Sequence, residues 1–600
     1  MGEKKKLRER NQIESCYKWD IEDMYPEEEA WEQDYKEVQS MMEAFGGYSG
    51  RLGEGADMLL AALRARDALW QKLERLYVYA RMRRDEDNRV AKYQSMCDRA
   101  GVLMSRAAAA ASFFTPELLE VPEERLKDFF RGEKRLQIYG HLVDEILREK
   151  AHVLSAAEES LLAQMSEVTG ATQEIFTMLN NADIRFGSIR DEEGEEVEVT
   201  HGRYISLLES RDRRVRREAF EHLYEAYEKQ KNTLAATYSY NTKVDAVTAR
   251  IRKYPSARAA ALSADNVPIS VYDSLVDTVN KALPLFHRYV KLRKKALGLK
   301  ELHMYDMYVP LAELPREKVP YEKALELIRE GLTPLGEEYL AAMETGLSSR
   351  WIDVYENQGK TSGAYSFGCY DSMPYILLNY DDTLKDVFTV AHEMGHSMHS
   401  YYTRKNQPFV YGDHSIFTAE VASTVNENLL MRHMLDKEKD PLRRKYLLNL
   451  YADAFRGTVF RQTMFAEFEQ LTHQTVEEGG VLTAEWLSEE YGKLNRKYFG
   501  EEAFCDPQIS MEWARIPHFY RAFYVYKYAT GYSAAAALAE EILEEGAPAV
   551  EAYIKFLRSG SSNYPMDLLR GAGVDMSKPE PVERAMKTFE KLLVELETLV

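Results

Sequence analysis

The chain has 600 residues and a formal net charge of −20. An acidic balance with no basic stripe excludes an obvious nucleic-acid partner, and no run of 18 apolar residues offers a membrane span. Cys16, Cys97, Cys369 and Cys505 lie far apart without paired spacing, the pattern of free thiols in a reducing compartment.

The opening Met1 to Arg10 carries positive charge with no apolar stretch behind it, so no secretory signal is expected and the cytoplasm is the expected location. Helical periodicity follows. Leu59, Leu63, Trp70, Leu73, Tyr77 and Ala80 repeat on one face of a long segment. The alanine runs at 107–111 and 534–537 read as closely packed helices. One hairpin breaks the pattern: Ile184 and Phe186 alternate before the charged turn 191–196, and Val197 and Val199 alternate after it. A second extended region covers 363–370 and 374–380, with Gly363, Ala364 and Tyr365 at its start.

The next segment carries the chemistry. Thr383 and Asp386 have the spacing of a capping box, and a helix from there buries Leu384, Phe388 and Ala391. That helix brings His392 and His396 to one side, four residues apart, where both can bind a single zinc ion, with Glu393 directly after the first histidine. With 13 His in the chain, a chance match to this pattern is expected about 0.03 times. Gly395, unusual inside a helix, is expected to leave room beside the metal for a substrate backbone. A catalytic zinc needs a third protein ligand. His399 sits about 10 Å further along the helix axis than His392 and is read as a supporting or packing residue. Glu420 and Glu427, seven apart on a small-residue helix after a loop at 405–413, are the remaining choices, and they cannot share one ion.

The residues His392-Glu393-Met394-Gly395-His396 followed by Glu420-Val421-Ala422-Ser423 resemble the thimet oligopeptidase-like zinc metallopeptidases, and within them the oligoendopeptidase F group. Thermolysin-like enzymes carry E-x-x-x-D instead, and position 424 here is Thr. Further matches, in the family's order, are Trp19 to Pro26, Asp212 to Phe220, Arg515 to Tyr520, and Ser559 to Pro565 with Gly571 to Asp575. The likeness covers nearly the whole chain.

What the resemblance implies is a mainly α protein: two helical lobes around a deep central substrate channel, with a small β-sheet near one zinc per chain. It places an N-terminal helical domain at 1–200 and a catalytic domain at 201–600. Glu420 becomes the third ligand beside His392 and His396. The implied reaction is endopeptidase hydrolysis of short unstructured oligopeptides, with Glu393 as general base toward a zinc-activated water. His518 is the implied oxyanion donor, followed by a cluster of Tyr520, Tyr524, Tyr526 and Tyr528 from which one or two hydroxyls reach the substrate, with Tyr526 assigned as a second catalytic group and Tyr520 and Tyr524 as substrate contacts, although the tyrosine spacing departs from that of thimet oligopeptidase. The strand at Gly363, Ala364 and Tyr365 is either a template for an extended peptide or plain packing. A zinc carboxypeptidase of related fold and a non-catalytic helical peptide-binding protein are the other readings; the latter does not need Glu393. The oligomeric state is not legible.

Overall fold

The structure, a computed structural model, describes residues 7–312 and 318–600. Helices make up most of it, as expected. The chain forms two compact units, each assembled from three separated stretches, a packing division distinct from a cut near residue 200.

The first unit contains 1–153, 316–430 and 538–573. Its longest helix, α1 (Ala56–Glu86), buries Leu59, Leu63, Leu73 and Ala80 as their spacing predicts, together with Leu69 and Leu76. Trp70 and Tyr77 stay half-buried at the margin of that face. At its C-terminal end, Glu86 and Asp353 share Arg10 at 2.8 and 2.6 Å, and Asp353 also takes Lys360 at 2.7 Å. Breaking any one of these pairs leaves a charge stranded in a low-dielectric interior.

Three short strands follow: β1 (Ile352–Asp353), β2 (Tyr365–Phe367) and β3 (Tyr375–Leu377), in spatial order β1-β3-β2. β2 pairs antiparallel with β3 in the register Ser366↔Ile376 and is an edge strand. Then comes α2 (Leu384–Asn406). Its start is the predicted capping box, in which the Asp386 N–H donates to Thr383 Oγ1 at 3.2 Å and the Thr383 N–H donates to Asp386 Oδ2 at 3.0 Å. Phe388 and Ala391 are buried and Leu384 is half-buried. After a loop, α3 (Ile416–Lys437) begins.

The second unit contains 154–315, 431–537 and 574–600. The expected hairpin is present in it, with Ser188–Arg190 antiparallel to Glu196–Glu198; Ile184 and Phe186 lie before its first strand but are buried. Ala534 to Ala537 are all buried in helix Tyr526–Glu545, whereas the earlier run packs through Ala107 and leaves Ala108 and Ala109 exposed. Among the described residues no helix is long and apolar enough to cross a membrane, and the four cysteines are free.

Candidate active site

His392 and His396 lie one turn apart on α2, so both rings leave the helix on one side. Their Nε2 atoms are 3.1 Å apart, and Glu420 Oε2 of α3 is 3.4 Å from the first and 3.7 Å from the second. The three ligand atoms all lie within 4.8 Å of one another, and all three residues are half-buried. Two imidazole nitrogens and one carboxylate oxygen converging in this way suit a divalent transition metal, since each presents a lone pair to the same point.

Glu427, one further turn pair along α3, meets the other nitrogen of His392, with Oε1 3.1 Å from Nδ1. A carboxylate there fixes the ring's tautomer and aims Nε2 at Glu420 and His396. Burial opposes charge on His392, but Glu420 and Glu427 outweigh it and raise its imidazole well above the ordinary value. Burial, reinforced by His392, holds His396 neutral and pushes it down to about 3.

Glu393 is 7% exposed, and its carboxylate accepts the backbone N–H of Ser366 in β2. Burial pushes its carboxyl up to about 7 against the pull of His392. A carboxyl group at that value exchanges protons near neutrality, as a general base must.

Gly395 corrects an expectation. A Cβ at that position would lie 2.5 Å from Ser423 Cα and 2.7 Å from Ala422 O, so the space beside it is filled by the backbone of α3 and not left for substrate. The glycine lets the two helices cross in near contact, which is what brings Glu420 to the histidines. Buried Asn426 donates to Ala391 O at 3.1 Å and ties the crossing together, while Ser423 Oγ donates within α3 to the Glu420 carbonyl at 3.0 Å. The E-x-x-S motif marked Ser423 in the sequence; nothing there marked Asn426. His399 is 1% exposed and stacks on His414 with ring centroids 4.0 Å apart.

Gly363, Ala364 and Tyr365 lie at the edge of the sheet. Gly363 is exposed with φ +87°, Ala364 and Tyr365 are half-buried, and the Tyr365 hydroxyl donates to Asp85 at 3.0 Å. Ser366, unnoticed in the sequence, joins β2 to α2 through Ser397 at 2.8 Å.

In the second unit, His518 is half-buried, and burial, Arg521 and Arg461 hold its imidazole below the ordinary value. Its Nε2 lies 3.3 Å from the Tyr528 hydroxyl, and the Tyr524 ring lies parallel to it at 6.0 Å. Tyr526 is a correction: it is fully buried, 5.1 Å from the Tyr272 ring, so it faces the core and not a substrate. Tyr520 is likewise turned inward, its hydroxyl 2.9 Å from Thr237 Oγ1. Only Tyr524 and Tyr528 of the cluster keep partly open surface. The helix that starts at Tyr526 turns that ring inward, and a dense run of tyrosines hides it.

A sequence profile of Peptidase family M3 matches residues 206–588, and one described as Oligopeptidase F matches 117–186. The chain belongs to peptidase family M3. This M3 peptidase is 50% identical to Oligopeptidase PepF of Bacillus subtilis (strain 168) over 100% of its own length and 90% of that protein. It is 46% identical to Group B oligopeptidase PepB of Streptococcus agalactiae, covering 98% of each chain. The crystal structure of oligoendopeptidase-F from Enterococcus faecium, 42% identical, superposes with a TM-score of 0.76 over 95% of this chain and 99% of that one.

Proposed function

We propose that this M3 peptidase is a zinc-dependent endopeptidase that hydrolyses internal bonds of short unstructured oligopeptides. The carrying observation is the convergence of His392, His396 and Glu420 within 4.8 Å, with buried Glu393 directly after the first histidine. The names of the similar proteins, oligopeptidase and oligoendopeptidase, support the substrate class. The three residues would hold one zinc per chain. When bound, the zinc supplies Lewis-acid polarisation of a carbonyl and of water.

The chain's own residues perform the proton work. Glu393 accepts a proton at its carboxylate as water adds to the scissile carbonyl carbon, and returns it to the amine nitrogen as the C–N bond breaks. His518, kept neutral, keeps one ring N–H to donate toward a developing oxyanion, and Tyr528 is the hydroxyl beside it. Tyr524 and the segment Gly363 to Tyr365 are assigned to substrate binding; the exposure of Gly363 and the edge position of β2 support the latter.

The gap between the two profile matches, 186 to 206, supports a functional division near residue 200. Free cysteines support a cytoplasmic location. The deciding experiment measures metal content and cleavage of peptides blocked at both ends. One zinc per chain and cleavage of blocked peptides are expected, with zinc lost in Glu420→Ala. A carboxypeptidase would spare every blocked peptide, and zinc retained in Glu420→Ala but lost in Glu427→Ala would reassign the ligand.

A further inference from the structure

The second unit encloses a cavity whose wall carries more guanidinium than carboxylate. Arg456, Arg461 and Arg515 all line it, and Glu512 is the only acid among its lining residues. They come from three places in the chain: a π-turn at Arg456–Phe460, the first residue of helix Arg461–Glu477, and the end of the Pro507–Arg515 segment.

Glu512 is already fully engaged. It accepts Arg461 at 2.6 Å and Arg515 at 3.1 Å on one oxygen and the Tyr491 hydroxyl at 2.5 Å on the other. Burial would raise its carboxyl, yet Arg461 and Arg515 hold it down to about 2, so it is ionised. Behind the wall, Arg456 donates to Asp453 at 2.8 Å, but that carboxylate also lies 3.6 Å from Arg293, which is wholly buried. Four arginines therefore share two carboxylates. An uncompensated buried charge costs several kcal/mol, so such an excess calls for a further anion. Among the described residues Arg461 uses one nitrogen for hydrogen bonding, and Arg456 likewise one. Tyr308 reports the same field: its ring centroid is 4.5 Å from the Arg456 guanidinium, and although burial would push its phenol up, Arg461 and Arg456 hold it below the ordinary value.

The lining selects the ligand. Beyond the arginines, Glu512 and three tyrosines it is apolar, with Phe220, Met304, Met307 and Met464 among its residues, which suits a compact, singly charged anion over a multiply charged oxyanion whose desolvation costs more.

We propose that this cavity is a binding site for a single halide ion, chloride being the available one, held by Arg456 and Arg461 and bordered by the Tyr308 ring. Arg515 lies three residues before His518, so the anion would stiffen the segment that carries His518 and raise turnover. That coupling to rate rests on the role proposed for His518; the binding itself does not.

The test uses the full chain in chloride, bromide, sulfate or gluconate at constant ionic strength, comparing wild type with Arg461→Met, which keeps the Arg515–Glu512 pair. Chloride NMR line broadening should saturate in the wild type, and its affinity should fall about tenfold in Arg461→Met, the size expected for one lost charge-assisted contact. Chloride and bromide should raise the unfolding midpoint of the wild type where gluconate and sulfate do not. Absence of saturable broadening, or equal broadening in both proteins, overturns the site. Tyrosinate absorbance at neutral pH that disappears in Tyr308→Phe, without broadening, also overturns it, because the phenolate would then supply the missing charge. Binding without any change in turnover refutes the coupling to His518 alone. Halide binding by a protein inactive on every peptide counts against the proposed function and leaves the site standing.

Discussion

Two pairs of histidines lie within one short stretch of this chain and behave in opposite ways. His392 and His396 are half-buried and meet two carboxylates, Glu420 and Glu427, at 3.1 to 3.7 Å. His399, which is buried, and His414, which is half-buried, are stacked 11° from parallel, and each keeps a buried Nδ1 without a hydrogen-bond partner among the described residues. Spacing alone does not separate the pairs, since His399 follows His392 by seven residues, close to two helical turns. What separates them is the carboxylate supply. Two acids around the first pair favour charge on His392 or a cation there, whereas burial holds the second pair low even with Asp413 3.8 Å from His414, and its rings serve as flat packing surfaces between α2 and the loop that leads to α3.

The comparison breaks most visibly at the residue between the first pair. Glu393→Gln removes the base without removing a ligand, so kcat is expected to fall by about 10²–10⁴-fold with zinc content unchanged. Turnover near wild type would sink the role. His518→Ala should lower kcat by about 10²–10³-fold with metal retained, and a change confined to KM would make His518 a binding residue instead.

Gly395→Ala tests whether the crossing of α2 and α3 builds the first site. A methyl group placed 2.5 Å from Ser423 Cα must push the helices apart, at a cost of about 1–3 kcal/mol. Glu420 then moves off the histidines, and zinc affinity should drop tenfold or more. Unchanged affinity by competition with a chelator would show that α3 adapts without moving its carboxylate.

The smallest effect belongs to the second pair. Burial, then His414 and His396, holds the His399 imidazole well below its ordinary value of 6.5. Below that pH the unfolded chain takes up a proton that the folded chain refuses. Stability is therefore complete above 6.5 and falls as pH drops, by up to about 1.4 kcal/mol per pH unit for this group. His399→Phe keeps a flat ring and should lessen that slope while leaving zinc content and turnover near wild type, as denaturant titrations at several pH values would show. Loss of zinc in this variant would move His399 into the metal site and end the distinction between the pairs.

Much of the site was legible before folding because its signals are local. The capping box at Thr383 and Asp386, the i, i+4 histidines and the intervening Glu393 all depend on one helix, whose periodicity is fixed by backbone geometry. The hairpin near 191–196 announced itself by alternation for the same reason. Tyr526 misled because a run with tyrosine at 520, 524, 526 and 528 gives no phase of its own; the start of the helix at Tyr526 turns that ring into the core. Gly395 misled because a missing side chain looks the same whether substrate or another helix takes its space.

By itself, then, the sequence determined the helical character, the paired histidines proposed to bind metal and the acid proposed as base between them, all properties of contiguous residues. Tertiary structure alone decided the rest: that Glu420 completes the cluster while Glu427 steers His392, that Ser366 contacts Glu393, and that four arginines meet around two carboxylates. Each of these joins residues far apart in the chain. Which acid reaches which base depends on how closely two helices cross, and that distance is set by packing between surfaces no local pattern describes.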